Sequence, residues 1–218
     1  MHCLLAAATA AEIEPFLAHY RDSQKTAFID FTIDVLITGV GLTATTYQLG
    51  RYMRLRKPDL AIQAGIAGCF DTSATLGNVY VINKDAIADE GVTENGELKT
   101  VFDLKLQPAS RSPYKNGWLV NPYTPMLKRS KLKRATAVSV NQVTTNKKTI
   151  EQYRHKFKPL VESMEGAAFH YCCLMEAVPF MQLRATSNYM GERNKKKWLL
   201  KDSIGNLNNE LIRLFENL

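Results

Sequence analysis

Short, almost unbroken apolar runs recur along this chain, and between them the apolar residues return every three or four positions. The run HCLLAAA (2–8) is followed by Ile13, Phe16, Leu17 and Tyr20 at helical spacing. Further strand candidates are DLAIQAGIAG (59–68), NVYVINKDAIAD (78–89), RATAVSV (134–140), PLVES (159–163) and VPFMQLRATS (178–187). FIDFTIDVLITG (28–39) reads as a hairpin, and Gly39-Val40-Gly41 opens a helix that stops before Lys57-Pro58. Other helices are expected over TIEQYRHKF (149–157), along Met164, Ala167, Ala168, Tyr171, Cys172 and Met175, and along Ile204, Leu207, Leu211, Leu214, Phe215 and Leu218. A strand with one wet face alternates polar and apolar residues. These strands do not, so both faces must be covered, as happens when helices flank a mostly parallel sheet. The expected fold is α/β: a single domain over 1–218, its central sheet mostly parallel between flanking helices in three layers. Residues 90–130, with Pro108, Pro113, Pro122 and Pro125, read as an irregular insertion or flap.

Composition removes several function classes. A 45% hydrophobic content over 218 residues suffices for one buried core. No run approaches the ~20 apolar residues of a membrane span, and MHCLLAAATAAEIEPF lacks the basic start and cleavage site of a secretory signal. A cytoplasmic location with no membrane partner is expected. Cys3, Cys69, Cys172 and Cys173 lack paired metal spacing and read as reduced core thiols, so no metal site is expected. The net charge of +7 gathers in LKRSKLKR (127–134) and KKK (195–197). Without interleaved aromatics or a DNA-binding motif, these runs read first as a solvated face and second as an aid to an anionic small substrate, with no nucleic-acid partner.

In open parallel sheets ligands bind beyond the carboxyl ends of the strands. That rule selects the loops at 8–12, 39–41, 65–68, 140–144, 163–165 and 187–193. The two glycine turns among them are neither GxGxxG nor a P-loop. Glu12 and Glu165 each allow two readings: a first-turn carboxylate favoured by a helix dipole, with Ser163 as the cap beside Glu165, or an acid at a ligand-binding edge. Glu14 is a rival to Glu12.

Taken together, Glu12, TGVG (38–41), AGIAG (64–68) followed by LGNVYVI (76–82), SMEGAA (163–168) and RATSN (184–188) occur in the order and spacing of the nucleoside phosphorylase and nucleosidase superfamily, which the chain resembles over nearly its whole length. Within it, the tail MEGAAFHYCCLMEAVPFMQLRATSNYMGERN (164–194) is most similar to the futalosine hydrolases. The resemblance implies a nucleoside phosphorylase-like fold, a homo-oligomer of two or more copies, a small nucleoside substrate and no cofactor. It further implies hydrolysis of futalosine, a 5′-extended inosine, to hypoxanthine and dehypoxanthinyl futalosine on a route to menaquinone.

Cleaving a purine N-glycosidic bond passes through an oxocarbenium-like ribosyl cation, so a site must hold the sugar, help the purine leave and deliver a nucleophile. By resemblance, Glu165 accepts hydrogen bonds from the ribose 2′- and 3′-hydroxyls, Met164 packs on the ribose, Glu12 takes a proton from the attacking water and Arg184 orients that water. Ser187 and the Gly65-Ile66 turn are carried over as substrate-binding positions, and Val143 and Thr144 in VNQVTT (140–145) as part of the base pocket. Arg193, Tyr189, Phe102, Tyr114 and Trp118 are candidates for meeting the benzoate-bearing 5′ extension.

Two positions separate the branches of the superfamily. Where adenine-releasing nucleosidases carry an aspartate that protonates N7, this chain has Asn188. Hypoxanthine presents acceptors at both N7 and O6, and an amide NH₂ has two donors for them, so Asn188 argues for a 6-oxopurine. Where hexameric phosphorylases grip phosphate with arginine and serine, this chain has Gln63 and Ile66, which argues for water as nucleophile. The alternatives are a methylthioadenosine/adenosylhomocysteine nucleosidase, a purine nucleoside phosphorylase and, outside enzymes, a nucleoside-binding protein.

Overall fold

The computed structural model describes residues 1–23 and 32–217. Strand β1 (His2–Ala7) lies between β2 (Thr32–Ile37) and β3 (Leu60–Cys69), parallel to both. The second arm of the expected hairpin is thus β2, an edge strand parallel to β1; the first arm, 28–31, falls outside the described residues. Strand β10 (Phe180–Tyr189) runs parallel to β3 and antiparallel to β4 (Val79–Asp85), which pairs in parallel with β8 (Lys133–Ser139). Strand β9 (Val161–Ser163) runs parallel to β8 and returns antiparallel to the end of β3. The pairings β3-β10-β4-β8-β9-β3 therefore close a ring, from which β1 and β2 extend beyond β3. Closure was not evident from the sequence, because register between distant strands leaves no local pattern.

The side chains of β1 explain the absence of alternation. Cys3, Leu5 and Ala7 pack with Ile13, Phe16, Leu207 and Leu211, the core beneath α1 (Glu14–Ser23) and α6 (Leu200–Phe215). Leu4 and Ala6 pack with Leu49, Met53, Phe169 and Phe180 under α2 (Leu42–Leu55) and α5 (Gly166–Met175) on the opposite face. Burying both faces makes the strand apolar without a break from Cys3 to Ala7. All four cysteines are buried and free, and no described helix is long and apolar enough to cross a membrane.

Residues 90–130 hold more regular structure than their prolines suggested. A hairpin of β5 (Gly91–Glu94) and β6 (Glu97–Thr100) turns at Asn95-Gly96, both at positive φ. Then β7 (Leu119–Val120) adds to β4 and α3 (Thr124–Arg129) follows, with Pro125 in its first turn, where the missing N–H costs nothing. The last helix before β9 is α4 (Lys147–Phe157), whose first amides are capped by Asn146.

Candidate active site

The end of β1, the turn before α2, the ends of β3, β9 and β10, and the start of α6 surround one cavity of about 450 Å³. Of the residues expected at a site, Glu12, Ile66, Val143, Met164, Glu165, Ser187, Asn188 and Arg193 line it.

Glu12 sits in a single 3-10 turn (Ala10–Glu12) after β1, only 8% exposed. Its Oε2 accepts from the Thr9 amide (3.0 Å) and hydroxyl (3.1 Å), and its Oε1 from the Ile66 amide (3.1 Å). Asn208 of α6 donates to the Glu12 carbonyl at 2.9 Å and accepts from the Phe16 amide at 2.9 Å, fixing the turn against the last helix. A buried carboxylate held by three donors keeps a defined direction with a lone pair left on Oε1. The rival Glu14 instead pairs with Arg21 at the surface (2.9 Å).

Glu165 precedes the first turn of α5 and does not cap it. That task falls to Ser163 Oγ, which accepts from the Gly166 amide (3.2 Å), and Ser139 Oγ, which accepts from the Ala167 amide (2.8 Å). Ser139 also donates to Asp85 (3.1 Å), and burial pushes this carboxyl up to about 6, with Arg184, Gln182 and Ser139 acting in the opposite direction. Freed from capping, the Glu165 carboxylate accepts from the Gly41 amide (3.2 Å) and lies 3.6 Å from Arg184 Nη1.

Arg184 is 1% exposed, donates to Gln63 Oε1 at 2.8 Å and does not line the cavity. Its guanidinium passes across Gly65: a Cβ there would come within 2.3 Å of Arg184 Nη1 and 2.9 Å of Glu12 Oε1. Gly65 thus lies beneath the site, where it lets the arginine reach Glu165. Arg184 takes up Gln63 Oε1, leaving Gln63 Nε2 buried without a hydrogen-bond partner, and the Gly41 amide is taken up by Glu165.

At the other end of the cavity, Ser187 Oγ donates to Asn188 Oδ1 (2.9 Å), while Asn188 Nδ2 donates to the Tyr189 carbonyl (3.1 Å). The amide is thereby oriented with one N–H remaining for a ligand, where the sequence suggested two. Thr144 accepts from the Asn146 amide (3.0 Å) ahead of α4, and Tyr189 reaches out to the Ala74 carbonyl (2.9 Å); neither lines the cavity. Phe102 and Trp118 border a separate cavity, and Tyr114 meets Phe102 edge to face and Tyr171 at a tilt. The aromatic ring that does line the site is Trp198, with Arg193 5.6 Å from its centre and Lys195 beside it. Trp198 follows the triple-lysine run, and its only sequence signal was an aromatic residue next to a basic cluster.

One further acid, not singled out by the sequence, faces the cavity. Glu162 of β9 lines the cavity at 4% exposure, and burial, reinforced by Asp89 and opposed by Arg193, pushes its carboxyl up to about 8. The signal was present as a lone charge inside the strand PLVES.

Comparison with known proteins bears on the whole arrangement. The family model described as Phosphorylase superfamily matches residues 32–217. A futalosine hydrolase from Thermus thermophilus is 29% identical over 206 residues, spanning 93% of this chain and 88% of the relative. One from Streptomyces coelicolor is 25% identical over 191 residues, spanning 83% and 77%. Among solved structures, native futalosine hydrolase of Helicobacter pylori strain 26695 shares the fold with a TM-score of 0.82 at 17% identity, over 100% of this chain and 98% of that one. The Helicobacter pylori 5′-methylthioadenosine/S-adenosylhomocysteine nucleosidase with butyl-thio-DADMe-Immucillin-A has the same TM-score, 0.82, at 17% identity, over 100% and 99%.

Proposed function

This chain belongs to the phosphorylase superfamily, and we propose that it is an N-glycosyl hydrolase that cleaves futalosine to hypoxanthine and dehypoxanthinyl futalosine in menaquinone synthesis. The observation that carries the reading is a single cavity with two buried carboxylates, Glu12 and Glu165, at one end and an oriented amide donor, Asn188, at the other. The likeness to futalosine hydrolases over most of the chain supports the choice of substrate.

Ribose lies over Met164 with its 2′- and 3′-hydroxyls donating to Glu165, whose negative charge, steadied by Arg184 and the Gly41 amide, favours the cationic sugar. Arg184 acts through Glu165 as a positioning residue. Water forms a bond to C1′ as C1′–N9 breaks, and its proton passes to Glu12. The purine leaves with the electron pair of the broken bond. Charge spreads onto N7 and O6, where the free N–H of Asn188 donates a hydrogen bond; the departing base takes its proton from solvent, and Glu12 returns the proton it accepted to solvent, which closes the balance. Water is favoured over phosphate because Gln63 and Ile66 offer neither a positive charge nor a hydroxyl to grip a dianion, and the Gly41 amide already serves Glu165. Arg193, Lys195 and Trp198 form a cationic, aromatic mouth suited to the acidic 5′ extension.

The test is chromatography of the free base released from futalosine, inosine and methylthioadenosine. Hypoxanthine from futalosine, with inosine much slower, is expected. Adenine from methylthioadenosine at a comparable rate would overturn the substrate assignment, and binding without release of any base would make the chain a nucleoside-binding protein.

A further inference from the structure

The ring of strands places Gly68 of β3 in register with Glu162 of β9 on one side and with Asn188 of β10 on the other. Residues in register on neighbouring strands send their side chains to the same face. With strands ~4.8 Å apart, the two side chains stand ~10 Å apart across a glycine, room for a flat bicyclic base between two hydrogen-bonding groups. A Cβ on Gly68 would meet Met190 Sδ at 2.8 Å and Asn188 Nδ2 at 3.6 Å, so the missing side chain at residue 68 lets the Met190 thioether lie over the strand as the floor of this slot. Both flanking residues line the cavity.

Their hydrogen-bonding states are complementary. Asn188 has one N–H left to give, and Glu162 Oε2 is buried without a hydrogen-bond partner. An unmet buried acceptor is costly unless a ligand supplies the donor. A 6-oxopurine supplies one: unlike adenine, it carries a hydrogen on N1, at the opposite edge of the base from N7.

We propose that Glu162 is a specificity-determining residue of this site, accepting the N1–H of a 6-oxopurine while Asn188 donates to the N7/O6 edge across Gly68. The inference rests on the purine nucleosidase reading above and deepens it. Acceptance from N1–H works with the carboxyl ionised or protonated, since either form keeps an acceptor oxygen. The protonated form, favoured by burial, also has an O–H to offer O6.

The experiment compares hypoxanthine with 1-deazahypoxanthine, which has the same shape but carries C–H in place of N1–H, as inhibitors of futalosine hydrolysis by the full chain. Wild type is expected to bind hypoxanthine ~10–100-fold more tightly than the deaza base. Glu162→Ala should erase that preference, and Glu162→Gln, which keeps a carbonyl acceptor, should retain most of it. Equal binding of the two bases by wild type, or an undiminished preference in Glu162→Ala, overturns the inference while leaving futalosine hydrolysis intact. A wild-type protein that releases adenine and no hypoxanthine overturns the inference together with the reading on which it rests.

Discussion

At the scale of single residues, the groups facing the cavity already have most of their partners chosen. Asn188 is oriented by Ser187, so Asn188→Asp replaces the remaining N–H donor with an acid that suits adenine's N7 and opposes a 6-oxo group. The ratio of methylthioadenosine to futalosine turnover is expected to rise ~10–100-fold, read by base release. Gly65 lies where Arg184 and Glu12 approach each other, so Gly65→Ala should displace both. A misplacement of this kind costs ~100-fold in kcat, and hypoxanthine affinity at the far end of the cavity should barely change. That Glu12, Glu165 and Asn188 share one cavity could be anticipated because their order and spacing along the chain match the superfamily's. The place of Glu162 could not: a single acid in an apolar strand looks alike whether it faces solvent or a ligand, and only the closed ring brings it opposite Asn188. The pairing of Arg184 with Glu165 was hidden for the same reason, since it depends on a glycine 119 positions earlier, at Gly65.

At the scale of elements, the critical joint is the start of α5, where β4, β8 and β9 supply Asp85, Ser139 and Ser163 to hold the helix that carries Glu165. Ser139→Ala removes the acceptor for the Ala167 amide and a donor to Asp85. A lost cap costs about 1 kcal/mol, which for a chain of this length lowers Tm by about 2–4 °C in thermal unfolding. Strand β9 carries a different signature. Glu162 binds its proton more tightly folded, at about 8 against an ordinary 4.5, so this contribution to stability is complete below pH 4.5 and is lost as the pH rises through 8. Between about pH 5 and about pH 9 the Tm of wild type should therefore fall further than that of Glu162→Gln. Helix and strand positions were readable from periodicity almost throughout. The hairpin β5-β6 was missed because its strands are short and each carries a single large apolar residue, Val92 in GVTE and Leu98 in ELKT, leaving only the Asn95-Gly96 turn as a signal.

At the scale of the whole molecule, the net charge of +7 is placed to matter, since Arg193 and Lys195 stand at the mouth of the cavity. Salt screens exposed charges over ~8–10 Å near physiological ionic strength. The KM for futalosine, with its acidic extension, should rise several-fold between low and high salt, while that for uncharged inosine should stay flat. The layered α/β architecture could be anticipated from strands that are apolar on both faces. Ring closure through β9 and β10 could not, and it is this closure that brings Glu162, Glu165 and Asn188 to one cavity with Glu12. The central claim is that this cavity uses water to break the bond between ribose and a 6-oxopurine. The most direct test is mass spectrometry of the products formed from futalosine in phosphate buffer. Hypoxanthine together with free dehypoxanthinyl futalosine is predicted; the 1-phosphate of that sugar product, or no hypoxanthine at all, would contradict the account.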